Sequence, residues 1–133
     1  MLEIPAAIFD SMIEHARSEM PIECCGLLAG RAGTVERRFP LRNTLASPVA
    51  YLADVEELFT AFREMHRCSD ELIAIYHSHP TSEARPSRVD LAENFYGEIP
   101  RVIISLAGPE PSVRAFRLYA DHFDELPCLR KPN

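Results

Sequence analysis

The sequence predicts an α/β layered domain, and three observations point to it. Two stretches with apolar residues at helical spacing alternate with short apolar runs bounded by glycine and proline. One of those runs, Leu72-Ile73-Ala74-Ile75-Tyr76, is apolar without interruption, the mark of a strand buried on both faces. Strands interleaved with helices around such a strand pack as a sheet layered against helices. The 133 residues suffice for one domain with a real core, expected over 1–133, with the core in 1–120 and a C-terminal tail in 121–133.

Each element follows from local chemistry. Ile8, Met12, Ala16 and Met20, widened by Ile13 and with Pro5 near a first turn, predict a helix over about 5–19. Cys24 to Ala29 is an apolar run closed by Gly30, and Thr34 to Leu41 follows Gly33, so the two read as a strand pair around a turn. Val49 to Ala53 reads as a further short strand. Asp54 stands three residues before Glu57 in capping-box style, ahead of Val55, Leu58, Phe59, Phe62 and Met65. That predicts a second amphipathic helix ending near Arg67. The Leu72–Tyr76 strand feeds directly into His77, and a loop from Pro80 to Pro86 leads to a short helix over about 87–96. Arg101 to Ala107 and Ser112 to Tyr119 are two strands joined by the turn Gly108-Pro109-Glu110-Pro111. The tail from Asp121 is expected to pack only through Phe123 and Leu126.

Composition narrows the function classes. At 47% hydrophobic and 26% charged, the chain has the balance of a soluble globular protein. A net charge of −6 argues against nucleic acid, which needs a basic footprint, and favours a folded protein or peptide as partner. No apolar run approaches the roughly 18 residues of a membrane span, and the N-terminus lacks a basic-then-apolar leader, so a cytoplasmic protein without membrane contact is expected. The cysteines at 24, 25, 68 and 128 form no C-x-x-C pair and are expected as buried thiols. His15 and His66 lie on helices among charged residues and His122 in the tail, where solvation accounts for all three. Oligomeric state is not written in the sequence.

The stretch His77-Ser78-His79-Pro80, then Ser87 and Asp90, carries the chemistry. Residues i and i+2 of a strand share a face, so His77 and His79 can aim both rings at one point. Pro80 ends the strand, and the loop can return Asp90, in the first turn of the short helix, to the same point. Two histidines and one carboxylate leave a fourth tetrahedral position for water, the arrangement of a catalytic Zn²⁺ site. Alone, Ser87-x-x-Asp90 also reads as a helix cap. Ser78 should face away from the histidines, and Arg85 and Arg88 flank the metal loop as exposed side chains or as contacts for a substrate carboxylate.

His77-x-His79-Pro80, six residues, Ser87, two residues, Asp90 resembles the signature of the JAMM (MPN-plus, Mov34/MPN/PAD-1) zinc metalloproteases. Their upstream glutamate is matched by Glu23 in Pro21-Ile22-Glu23-Cys24-Cys25-Gly26-Leu27-Leu28. The resemblance runs from the first helix to the strand ending at Tyr119. It implies a cytidine-deaminase-like fold, a curved mixed β-sheet flanked by helices. It also implies one Zn²⁺ held by His77, His79 and Asp90, with Glu23 as general base and Ser87 steadying the oxyanion. Active members cut bonds that follow the C-terminal Gly-Gly of ubiquitin-like proteins. In its compactness the chain is similar to prokaryotic members, which act on ubiquitin-like sulfur carriers as peptidases or isopeptidases. Competing readings are a catalytically silent scaffold and a DNA-repair-associated relative; the intact ligand set opposes the first and the acidic balance the second. A deaminase would need a Pro-Cys-x-x-Cys motif that this sequence lacks.

Overall fold

A six-stranded mixed sheet runs through the protein in the order β3-β2-β4-β5-β6-β7. The computed structural model describes residues 1–92 and 97–132. After β1 (Leu2–Pro5) and α1 (Ala6–Glu19) come β2 (Cys25–Arg31), β3 (Thr34–Leu41), α2 (Val55–Arg67) and β4 (Glu71–His79). Then follow α3 (Arg88–Ala92), β5 (Arg101–Ser105), β6 (Ser112–Leu118), β7 (Phe123–Leu126) and β8 (Cys128–Lys131). The β2–β3 hairpin turns through Ala32 and Gly33, both at positive φ, where glycine is the easiest residue to place.

The apolar run of β4 sits where its composition demands, in the middle of the sheet. It pairs antiparallel with β2 and parallel with β5, and its alternate side chains face opposite layers. Ala74 and Tyr76 join Met12 and Ala16 of α1 in one core, together with Leu28, Val102 and Ile104. Ile75 points the other way, joining Ala61 and Met65 of α2 with Cys25, Leu27 and Ala29. Fully burying one such aliphatic side chain contributes about 1.5–3 kcal/mol. The sheet is therefore flanked by a helix on each face, the curved mixed layer expected.

Several local expectations are corrected. The tail does not pack only through Phe123 and Leu126: β7 extends the main sheet beside β6, and β8 pairs parallel with β1, which the sequence reading missed. These strands are short and mixed in polarity, and backbone pairing with a distant segment leaves no periodic trace. Val49 to Ala53 forms no strand; only an isolated bridge joins Asn43 to Ala53. Met20 lies past the end of α1 and is exposed, as are Val55 and Phe59 on α2. The predicted residues 93–96 of the third helix lie outside the described residues. Asp54 does cap α2 by accepting the Glu57 N–H at 3.0 Å, but the Glu57 carboxylate turns to the amide of Arg42 at 2.6 Å, so only half of a capping box forms.

Tyr76 needs a space opposite it, and Gly26, its partner across β2 and β4, supplies that space. A Cβ at Gly26 would collide with the Tyr76 ring. The ring has no freedom to move, because its hydroxyl meets His15 Nδ1 at 2.8 Å and accepts from Arg38 Nη1 at 3.0 Å. Gly26→Ala is expected to destabilise the fold by about 1–3 kcal/mol, read as a lowered midpoint in chemical denaturation.

Candidate metal centre

The site forms where β4 runs out. Alternation that puts Ile75 on the α2 side puts His77 and His79 there too, and both rings are buried. Their Nε2 atoms stand 3.2 Å apart. Asp90 completes the triangle from α3: Oδ1 lies 3.2 Å from His77 Nε2 and Oδ2 lies 3.2 Å from His79 Nε2. Among the described residues these three side chains form a cluster of possible metal donors.

The loop between β4 and α3 is fastened so that Asp90 returns. Ser105 Oγ donates to the carbonyl of Ser82 at 2.6 Å, and Ala84 is buried against Ile103 and Phe116. Ser87 and Asp90 then lock each other. The Ser87 N–H donates to Asp90 Oδ2 at 2.8 Å, and Ser87 Oγ accepts the Asp90 N–H at 3.1 Å. Ser87 thus caps α3, as the local pattern alone suggests, and its own O–H remains a donor for another acceptor.

Protonation follows from these contacts. His79 Nδ1 lies 2.9 Å from the carbonyl of Glu83, which can only accept, so Nδ1 carries the hydrogen and the neutral ring presents its lone pair at Nε2. Burial lowers the His79 pKa, but the bonds to Asp90 and Glu83 outweigh it and the net shift is upward. Burial alone would raise the Asp90 carboxyl, yet its contacts with both imidazoles and the hydrogen bond from the Ser87 N–H hold it well below the usual carboxylate range.

Glu23 lies in the turn between α1 and β2, only 3% exposed. Its Oε1 is buried and has no hydrogen-bond partner among the described residues. Burial pushes its carboxyl up to about 8; the positive charge of His79 opposes that shift and the negative charge of Asp90 adds to it. A buried carboxyl in reach of those two charges is thus poised to hold or release a proton near neutral pH.

Ser78 faces away from the histidines, as predicted. Its Oγ accepts the Cys24 N–H at 2.8 Å, tying β4 to the segment that carries Glu23. Sequence reasoning missed Tyr51, whose ring stacks on His77 at 4.9 Å between centroids and 27° between planes. It also missed Asn43, whose amide donates to the carbonyl of Glu23 at 3.0 Å. Both lie in the segment between β3 and α2, where no spacing rule announces them. Of the remaining histidines, His15 is not simply solvated: it is half-buried and bonded to Tyr76, on the far face of β4. His66 and His122 are exposed. Arg85 is exposed, with its guanidinium over the Phe123 ring at 5.6 Å, and Arg88 is exposed as well. The buried thiols of Cys24 and Cys25 are pushed up to about 11 and about 12 by burial, so they stay protonated and unreactive at neutral pH.

Residues 5–119 match the family described as prokaryotic homologs of the JAB domain (Prok-JAB). The CysO-cysteine peptidase of Mycobacterium tuberculosis is 35% identical over 121 residues, 89% of this chain and 83% of that protein. A probable TtuB-protein conjugate cleaving protease of Thermus thermophilus is 41% identical over 119 residues, covering 89% of this chain and 76% of its own length. The desampylase of Haloferax volcanii is 33% identical over 132 residues, 94% of this chain and 93% of the relative. Among solved structures, protein DSY2949 of Desulfitobacterium hafniense superposes with a TM-score of 0.90 at 35% identity, covering 100% of this chain and 94% of that one. AF2198, a JAB1/MPN domain protein of Archaeoglobus fulgidus, shares the fold with a TM-score of 0.65 at 19% identity, over 98% and 97% of the two chains. A buried His-His-Asp cluster at the end of the central strand, a family match over most of the length and relatives above 30% identity together show that the chain belongs to the prokaryotic homologs of the JAB domain.

Proposed function

We propose that this protein is a zinc-dependent metallopeptidase that hydrolyses the peptide or isopeptide bond following the C-terminal Gly-Gly of a ubiquitin-like protein or sulfur carrier. The convergence of His77 Nε2, His79 Nε2 and Asp90 carries this reading. Ligands roughly 2.0–2.1 Å from a tetrahedral zinc stand about 3.3 Å apart. The imidazole and carboxylate atoms here are separated by 3.2 Å, so the donor set fits. The His79–Glu83 hydrogen bond is the outer contact that fixes a ligating tautomer.

His77, His79 and Asp90 would hold the ion. A bound zinc supplies Lewis acidity, polarising a carbonyl oxygen and making water acidic enough to ionise near neutral pH. Glu23 takes a proton from the attacking water at its buried carboxylate and later hands it to the leaving amine. Ser87, with its O–H free to donate, steadies the carbonyl oxygen as charge develops there. Tyr51 backs the His77 ring and keeps its plane fixed. The names of three relatives, a CysO-cysteine peptidase, a TtuB-protein conjugate cleaving protease and a desampylase, support a small protein tail as substrate. A Gly-Gly tail suits a narrow approach because its backbone can come close to the site unobstructed. No described helix is long and apolar enough to cross a membrane, and the acidic balance supports a partner that is not nucleic acid.

The deciding experiment measures metal content and cleavage of a ubiquitin-like fusion carrying Gly-Gly before a reporter. Wild type is expected to hold about one zinc per chain and to cleave the fusion, and His77→Ala to lose both. Zinc without cleavage would favour the scaffold reading, and no zinc in the wild type would remove the proposal. Glu23→Gln should keep its zinc while its kcat drops by at least about 100-fold, since only the proton carrier is lost.

A pH prediction follows from the burial of Glu23. In the metal-free protein Glu23 binds its proton more tightly when folded, so stability falls as pH rises from about 4.5 to about 8. Glu23→Gln removes that penalty. Chelator-treated variant and wild type should unfold alike near pH 4.5, while at pH 8.5 the variant should be more stable by roughly 1–3 kcal/mol. Equal thermal midpoints at both pH values would contradict the burial of this carboxyl.

A further inference from the structure

Asn43 is a buried polar side chain, 7% exposed, that this chemistry does not use. Its Nδ2 donates to the carbonyls of Glu23 and Ala50, each at 3.0 Å. Its Oδ1 accepts the amides of Leu45 at 3.1 Å and Leu52 at 3.0 Å. Two carbonyls on one side and two amides on the other fix the orientation of the carboxamide, because turning it over would set oxygen against oxygen. The same loop reaches Glu23 a second time, for the Glu23 N–H donates to the carbonyl of Ser47 at 2.9 Å.

Glu23 belongs to neither α1 nor β2, so no helix or sheet ladder sets its backbone. Among the described residues its Oε1 has no hydrogen-bond partner to aim the side chain. Where the carboxylate points therefore depends on where its peptide is held. The 43–52 loop holds Glu23 at both its N–H and its C=O, and one carboxamide both closes the loop and makes one of the two grips. A single buried side chain thus links the shape of the loop to the placement of the carboxylate.

We propose that Asn43 is a positioning residue for Glu23: by tying the Glu23 carbonyl to the closed 43–52 loop, it fixes the reach of the carboxylate toward the His77, His79 and Asp90 cluster. The inference rests on the reading of Glu23 as the proton carrier. Asn43 touches neither substrate nor metal donors in this scheme, so its effect falls on turnover rather than on binding of either.

The test uses the zinc-loaded full chain and the Gly-Gly-tailed reporter fusion, with zinc stoichiometry and thermal midpoint read on the same preparations. Asn43→Asp keeps an acceptor for the two amides and loses the donor to Glu23; Asn43→Ser serves if the aspartate variant does not fold. Either is expected to lower kcat by about 10- to 100-fold, the scale of a misplacement near 1 Å, with KM changed by less than about threefold and zinc still near one per chain. Thr44→Val is the control for loop stability, because it deletes the 2.9 Å bond from Thr44 Oγ1 to the Leu52 carbonyl without touching Glu23. It should keep kcat within about twofold of wild type. Added to Glu23→Gln, the Asn43→Asp change should lower the residual rate no further, since the two residues act as one unit. Unaltered kcat in both Asn43 variants, an equal loss in Thr44→Val, or a further multiplicative loss in the double variant would each overturn the inference. An active Glu23→Gln would remove the reading of Glu23 and the inference with it; an inactive Glu23→Gln beside an unaltered Asn43→Asp would remove the inference alone.

Discussion

The register of β4 between its two neighbours is the constraint on which the rest of the molecule depends. His77 lies opposite Cys25 in β2 and opposite Ile103 in β5, so the strand is fixed from both sides. Because β4 is buried on both faces, its alternation has no slack. Ala74 and Tyr76 must meet α1, and Ile75 must meet α2. A slip of one residue would carry both imidazoles to the α1 face, away from Asp90 and Glu23. The packing that stabilises the sheet is therefore the same packing that aims the histidines.

Burial then does opposite things to two carboxyls in one site. Asp90 meets both imidazoles and a backbone N–H, which hold it ionised. Glu23 has an oxygen without a partner among the described residues, and burial drives its pKa up to about 8. Environments that push two acids apart in this way divide the labour between them. One is suited to remain an anion and the other to carry a proton, which is the division the proposed hydrolysis requires. On the opposite face of β4, the Tyr76 hydroxyl meets both His15 and Arg38.

Regular elements account for only part of the site. Glu23, Ser87, Tyr51 and Asn43 all lie outside the helices and strands, and each is held by specific hydrogen bonds or stacking. Loops can carry such residues with precision only when their polar groups are internally satisfied. The 43–52 loop achieves this through one buried carboxamide, and the 80–86 loop through the bonds at Ser105 and His79.

The sequence by itself determined the layered α/β class, the central strand, both long helices and the pairing of His77 with His79. Each of these is local: helical spacing, an uninterrupted apolar run, and the two-residue period of a strand are written in neighbouring positions. The tertiary structure alone decided that β8 returns to β1, that Tyr51 backs His77, and that Asn43 grips the peptide of Glu23. It also decided that His15 serves Tyr76 rather than solvent. Those contacts join segments far apart in the chain through single hydrogen bonds or one ring face. Such contacts impose no periodicity on composition, so only the folded arrangement brings them to light.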